Sequence, residues 1–102
     1  MGSDEQTVIY IVDQIESPYP VRYRKMFGEY AIYINNKVVA LVCANILYVK
    51  KTTAGIEFAP NLPEAPPYPG GKPALVVEEK LEDRDWLSML LEMTERALPA
   101  PK

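Results

Sequence analysis

Histidine is absent from this sequence of 102 residues. Its absence excludes Ser-His and Cys-His activation of a nucleophile and removes the commonest general base and most zinc sites. The segment Gly70-Gly71-Lys72 is not a phosphate-binding loop, because the second half of that motif is missing. No nucleophile and base can be paired from the residues that remain. We therefore expect a protein that is not an enzyme and that uses no cofactor or metal.

Cysteine is represented by Cys43 alone, so no intramolecular disulfide can form. This is compatible with a reducing compartment. Cys43 ends the apolar run Val38–Cys43, and no cation lies beside it in sequence to lower its pKa. The pattern predicts a buried core thiol rather than a nucleophile.

Long apolar runs and an excess of positive charge are also lacking. No segment approaches the roughly 20 apolar residues of a membrane-spanning helix, and the N-terminal region lacks the pattern of a secretory signal. The net charge is −3 and the isoelectric point is about 4.9. We expect a cytoplasmic protein with no membrane contact, and one for which direct binding to nucleic acid is disfavoured.

The sequence does contain enough apolar residues, 48%, for one core, and its length predicts one domain over residues 1–102. Residues 4–16 are predicted to form a helix, because Val8, Ile11, Val12 and Ile15 recur at helical spacing. The two prolines of residues 17–20 end it.

Four strands follow in an order typical of a meander. Alternating or apolar patterns predict strands at residues 21–26, 30–34, 37–43 and 46–50. Asn35-Asn36 is a good two-residue hairpin turn, since asparagine tolerates positive φ. Ala44-Asn45 is the next turn, and Phe27-Gly28 marks the end of the first strand or a bulge.

The second half begins with a segment, residues 52–58, that can form a turn of helix. Residues 60–73 hold most of the ten prolines and are predicted to be a loop. A strand at 74–78 and a helix capped by Asp83 and ending near Ala97 complete the chain. The fold class is therefore α+β, a two-layer sandwich with an antiparallel sheet of about five strands between an N-terminal and a C-terminal helix in sequence.

Both faces of this sheet are predicted to be apolar. Tyr30, Ile32 and Ile34 share one face, and the helices can cover it. The second set needs the proline-rich loop, another subunit or a ligand over it; its members are Ala31, Tyr33, Val39, Leu41, Cys43, Leu47 and Val49. Within it, Tyr33, Leu41 and Leu47 are candidate interface residues. A protein partner is expected, with a homodimer as one form of it.

Two groups of charged residues are candidate sites. Basic residues beside Tyr23 and Tyr33 suit single-stranded nucleic acid, although a plain charged strand edge explains them better; they are Arg22, Arg24, Lys25, Lys50 and Lys51. Acidic residues before the last helix suit acid–base or metal chemistry, although a solvated helix start explains them better; they are Glu78, Glu79, Glu82, Asp83 and Asp85.

A family resemblance is carried by the stretch Arg24-Lys25-Met26-Phe27-Gly28, followed by Ile32-Tyr33, Ala40-Leu41-Val42 and Leu47-Tyr48-Val49-Lys50. This pattern resembles the N-terminal domain of the TfoX/Sxy family, which is associated with regulation of natural competence in bacteria. The sequence departs from it at Glu29 and Ala31, where many members have glycine.

The resemblance implies an α/β fold similar to that of secretion chaperones and a regulatory or protein-binding role. It also implies a structural or interaction role for the motif residues, which include Tyr33, Tyr48 and Lys50 as well as the Arg24–Gly28 stretch. A role in competence does not follow, because the longer competence regulators carry a second domain. The remaining alternatives are a nucleic-acid accessory module and a small-molecule-binding domain with a cleft under the proline-rich loop.

Overall fold

A computed structural model describes residues 3–100 of the chain. The N-terminal helix and the four strands of the meander lie close to their predicted positions. The elements in order are α1 (Glu5–Gln14), β1 (Val21–Met26), β2 (Glu29–Ile34), β3 (Lys37–Cys43), β4 (Ile46–Val49), α2 (Thr53–Phe58), β5 (Glu64–Ala65), β6 (Ala74–Val77) and α3 (Arg84–Ala97).

The strands form one antiparallel sheet in the order β1-β2-β3-β4-β6-β5. The sheet therefore has six strands where about five were predicted. The additional strand is β5, which lies within the proline-rich segment 60–73 and pairs with β6. Two residues are too few to show an alternating pattern, so β5 could not be recognised from the sequence.

Three consecutive hairpins of the meander have two-residue turns. Both residues of each turn have positive φ: 52° and 81° at Phe27-Gly28, 55° and 63° at Asn35-Asn36, and 52° and 63° at Ala44-Asn45. Such turns suit the right-handed twist of the paired strands. The turns at 35–36 and 44–45 are confirmed, and Phe27-Gly28 is a third hairpin turn. The bulge lies elsewhere, at Val39, where the β2–β3 register shifts.

The helices cover one face of the sheet. Val8 and Ile11 of α1 and three leucines of α3 are buried against strand residues such as Ile32. Helix α2 fits between β6 and α3, since a Cβ at Gly55 would lie 3.6 Å from both Leu75 Cδ1 and Leu90 Cδ1. Asp83 caps α3 as predicted, by accepting a hydrogen bond of 3.1 Å from the Trp86 amide. The two-layer α+β prediction is thus confirmed.

The predicted division of the sheet into two faces is wrong for three residues. Leu47 pairs with Val42 of β3 and Val77 of β6, and Val49 pairs with Ala40 and Leu75; both lie in the helix-covered core. Val39 joins that core because the bulge breaks the alternation of β3. Leu47 was expected at an interface, but its side chain is fully buried. The turn at Ala44-Asn45 was predicted correctly, but the predicted facing of Leu47 and Val49 did not follow its register, which pairs Cys43 with Ile46 and Val42 with Leu47.

No helix within residues 3–100 is both long and apolar enough to cross a membrane.

Candidate interaction surface

The face of the sheet opposite the helices, here called the second face, contains an apolar groove of about 410 Å³. Its floor includes Ala31, Leu41 and Cys43, while Phe27 and Tyr68 stand at its sides. Tyr68 belongs to the proline-rich loop, which therefore provides part of the cover that this face was predicted to need. Ala31 is fully buried, although it lies on the side of the sheet away from the helices.

Phe27 is the most exposed large apolar side chain among the described residues. It follows β1 at the first hairpin turn, and its side chain is completely exposed to solvent. Its φ of 52° lies in the left-handed region, which costs a non-glycine residue roughly 1–2 kcal/mol. Neither burial nor local backbone preference therefore explains a phenylalanine at this position.

The equivalent positions of the other two turns provide an internal comparison. Asn35 and Ala44 occupy the first turn position in the second and third hairpins, with φ values within 3° of that of Phe27. Asparagine tolerates this conformation, and alanine exposes little apolar surface. The chain thus builds the same turn twice without an exposed ring. The Phe27 ring adds exposed apolar surface beside the groove. The neighbouring Met26 side chain, which is 41% exposed, enlarges that surface.

Cys43 lies on the floor of the groove and is 8% exposed. Its buried position was predicted. Burial, and secondarily the nearby Glu29 carboxylate, raises the pKa of the Cys43 thiol above its ordinary value. Glu29 is held in place by a 2.6 Å hydrogen bond from the Ser3 hydroxyl and a 3.2 Å hydrogen bond from the Ala44 amide. The thiol is therefore poorly suited to nucleophilic chemistry.

This environment predicts slow reaction of Cys43 with thiol reagents. At pH 8 the rate in the native protein is expected to be on the order of tenfold or more below that of the urea-unfolded chain, because both the thiolate population and access are reduced. Reaction with a chromogenic disulfide, followed in buffer and in urea, measures both rates. Equal rates would contradict the buried placement of the thiol.

The structure does not bring the five predicted nucleic-acid contacts together. Arg22 and Arg24 point to the second face of β1, opposite Tyr33 and Ala31 of β2, and Lys25 is exposed on the same strand. Lys50 and Lys51 follow β4, which lies three strand spacings, or roughly 14 Å, across the sheet. Lys51 is also ion-paired with Glu64 at 2.8 Å. The basic residues therefore form two separate groups.

The remaining motif and interface residues are distributed over the second face. Tyr33 and Leu41 are half-buried there, and Leu41 lies opposite Ala31 on one side and Tyr48 on the other. Tyr48 is likewise half-buried, and the Lys50 amide donates to the Val39 carbonyl just beyond the end of β4. Of Tyr33, Leu41 and Tyr48, only Leu41 lines the groove; the two tyrosines lie on the same face outside its lining.

A second cavity, of about 520 Å³, lies between the segment after α2 and the start of α3. Phe58 and Trp86 line it with ring centroids 6.0 Å apart, and the Lys80 ammonium lies 5.2 Å from the Trp86 ring centroid. Glu78 and Glu79 lie at its edge. Within residues 3–100 no three acidic or sulfur ligands converge as a metal site would require.

Sequence reasoning missed a buried ion pair at the helix-covered face. The Lys37 ammonium lies 2.8 Å from the Glu95 carboxylate, and their side chains are 13% and 5% exposed. Lys37 also donates to the Glu95 carbonyl oxygen at 2.9 Å, and the side-chain amide of Asn35 donates to the Glu95 carboxylate at 3.3 Å. The partners are 58 residues apart, so no local pattern could have revealed the contact.

Comparisons with known proteins agree with this architecture. The sequence model of the TfoX N-terminal domain matches residues 13–98, which is nearly the whole chain. A protein of Spirochaeta aurantia, named "Uncharacterized 12.7 kDa protein in trpE 5'region", is 41% identical over 102 residues; the match covers 100% of this chain and 89% of that protein.

The fold is thus that of a small α+β domain with an open antiparallel sheet. The chain belongs to the TfoX N-terminal domain family.

Proposed function

We propose that this chain is a non-catalytic regulatory domain that acts by binding another protein through the second face of its sheet. The observation that carries the proposal is Phe27, whose ring is completely exposed beside an apolar groove. Exposed aromatic side chains next to pockets are typical anchors of protein interfaces. The lining of the groove is mostly apolar, and the pKa of its one thiol, Cys43, is raised by burial and by the nearby Glu29 carboxylate, which favours contact over chemistry.

A second copy of the chain is one candidate partner. Three large apolar side chains are exposed around the groove: Met26, Phe27 and Tyr68. Two copies of the chain that pack these side chains against each other would remove them from solvent. Sedimentation equilibrium over a wide concentration range tests this version. A mass that rises toward twice the monomer value supports it, and a constant monomer mass rules it out and leaves a different protein as the partner.

Photo-crosslinking tests the proposal whatever the partner is. A benzophenone amino acid is placed at position 27 in cells that naturally produce the protein, and at position 10 as a control. Tyr10 is 42% exposed, but it lies on α1, on the other side of the sheet. We expect a discrete protein adduct from position 27 and none, or a different one, from position 10. Failure to obtain any adduct at position 27 would count against the proposed surface.

The Phe27→Asn variant is expected to separate stability from binding. Asparagine tolerates positive φ better than phenylalanine, so the free energy of unfolding should stay the same or rise by up to about 1 kcal/mol. Binding, measured as adduct yield at a neighbouring position or as dimer mass, should fall. Urea denaturation provides the stability measurement. A loss of stability well above 1 kcal/mol would mean that the ring packs within the monomer.

A further inference from the structure

We propose that the free edge of β1 binds an acidic, extended segment of a partner protein by strand addition. The inference rests on the proposed function and names the chemistry of the partner. Across the described residues, 3–100, β1 is the terminal strand of the sheet and pairs with β2 alone.

The hydrogen-bonding groups on that edge follow from the register. Met26 pairs with Glu29 across a two-residue turn, so residues 26, 24 and 22 direct their backbone groups toward β2. Val21, Tyr23 and Lys25 then direct theirs outward. Within residues 3–100, none of these outward groups has a backbone partner. Three amides and three carbonyls alternate along this edge, which is the arrangement that an added strand requires.

The side chains of β1 give the edge a single sign of charge. Three of the eleven basic residues of the chain lie in this six-residue strand, together with no acidic residue. All three are exposed, and none forms an ion pair within the described residues. Arg22 and Arg24 flank an added strand on the second face, while Lys25 lies on the other face. An added strand therefore meets two arginines on the second face. On the other face Lys25 shares its side of β1 with Tyr23, whose hydroxyl donates a 2.8 Å hydrogen bond to the Glu5 carboxylate of α1. The positive charge is thus concentrated on the second face, in a protein whose net charge is −3.

The same charges disfavour a second copy at this edge. Antiparallel pairing of two β1 strands through their outward groups can place Tyr23 opposite Val21, Tyr23 or Lys25. These registers bring Arg22 opposite Arg22, Arg22 opposite Arg24, and Arg24 opposite Arg24, respectively. Like charges directly opposite each other destabilise a strand pair. A strand rich in aspartate or glutamate converts each of these repulsions into an attraction.

Nucleic acid fits the edge less well than an acidic peptide does. Phosphate oxygens accept hydrogen bonds but cannot donate to the outward carbonyls of Val21, Tyr23 and Lys25. A peptide backbone satisfies donors and acceptors together. An added strand that continues past Met26 also reaches the exposed ring of Phe27, so the edge and the groove form one continuous surface.

Selection from a phage-displayed library of random dodecapeptides tests the proposal on the full chain. We expect the selected peptides to alternate aspartate or glutamate with apolar residues. The double variant Arg24→Glu/Lys25→Glu should bind them at least about tenfold more weakly, because charge complementarity becomes repulsion. The control Lys80→Glu/Arg84→Glu makes the same change in net charge at exposed positions before and at the start of α3, away from β1 and the groove, and should bind within about twofold of the native protein.

Amide hydrogen exchange distinguishes strand addition from simple ionic attraction. Binding of a selected peptide should slow exchange at the amides of Val21, Tyr23 and Lys25, which point outward from the sheet. Unchanged exchange at these amides, or peptides without acidic enrichment, would overturn the proposal and leave the basic residues as a guard against edge-to-edge association. A 20-nucleotide oligothymidylate provides the test for nucleic acid. The proposal would be overturned in favour of nucleic acid if this oligonucleotide bound in a salt-sensitive way, the Arg24→Glu/Lys25→Glu variant abolished its binding, and the selection yielded no acidic peptides.

The outcome is separable from that of the proposed function. If position 27 gives an adduct but the selected peptides show no enrichment in acidic residues, the proposed protein-binding function stands and the proposed acidic strand is rejected. If position 27 gives no adduct but acidic peptides protect the β1 amides from exchange, the β1 edge stands as a binding site and the groove is rejected as one.

Discussion

Replacing Leu47 with lysine is expected to unfold the domain, whereas Leu41→Lys is expected to leave it folded. Leu47 is fully buried between Val42 and Val77 on the helix-covered face. Truncating such a leucine to alanine costs about 2–5 kcal/mol, and a buried ammonium without a partner costs more. The total free energy of unfolding of a domain this size is only about 5–15 kcal/mol. Leu41 is half-buried, and a lysine there can extend its ammonium into water.

Circular dichroism and urea denaturation measure the difference. The milder pair Leu47→Ala and Leu41→Ala keeps the test quantitative if the lysine variant cannot be purified. We expect a loss of about 3 kcal/mol at position 47 and of about 1 kcal/mol at position 41, following the difference in burial. Equal losses at the two positions would contradict the assignment of Leu47 to the core face.

This comparison also shows where the sequence was sufficient and where it was not. Asn35-Asn36 was recognised because the turn depends on the chemistry of those two residues alone. Asp83 was recognised for the same reason, since a helix cap is a local arrangement. The existence of four adjacent strands required only short alternating or apolar patterns. These features depend on residues that are neighbours in the chain.

The facing of β3 and β4 depends on more distant information. One bulge at Val39 places two successive residues of β3 in the core, and the register across Ala44-Asn45 then orients β4. The bulge is not visible in a run that is apolar on both faces, such as Val38–Cys43. The register across Ala44-Asn45, in contrast, follows from the predicted two-residue turn, so the facing of β4 could have been derived from that of β3. The candidate interaction surface likewise could be predicted only in part. Met26 and Phe27 were recognised as a motif, but the exposure of Phe27 and the loop beside it emerged only from the three-dimensional arrangement.

The sequence pointed to Arg22, Arg24 and Lys25 as a group because they lie within four residues of each other. It added Lys50 and Lys51 on charge alone, and the strand order separates those two from β1. In the described part of the chain, the same strand order leaves the outer edge of β1 without a pairing strand, so Arg22, Arg24 and Lys25 lie along an open sheet edge. Their charges lie beside free backbone groups, so the chemistry that they favour is that of an acidic strand.

Replacing Lys37 with methionine is expected to lower the free energy of unfolding by about 3 kcal/mol at neutral pH, because it leaves the Glu95 carboxylate buried without its counter-ion. The control Lys51→Met breaks the Lys51–Glu64 pair, whose side chains are 42% and 39% exposed, and should cost less than about 1 kcal/mol. Urea denaturation of the three proteins provides the comparison. Similar losses for the two variants would show that burial does not strengthen the Lys37–Glu95 contact.

The pH dependence of the same variants identifies the charge responsible. Its hydrogen bond with Lys37, supported by Asn35, holds the pKa of the Glu95 carboxyl below its ordinary value of 4.5. A carboxyl with a lowered pKa stabilises the native state fully above pH 4.5, and this contribution is lost as the pH falls through the pKa of the folded state. The difference in unfolding free energy between the native protein and Lys37→Met should therefore be constant near neutral pH and shrink below pH 4.5. A difference that stayed constant into that acid range would assign the loss to the packing of the Lys37 side chain, because the charge on Glu95 would then contribute nothing to it.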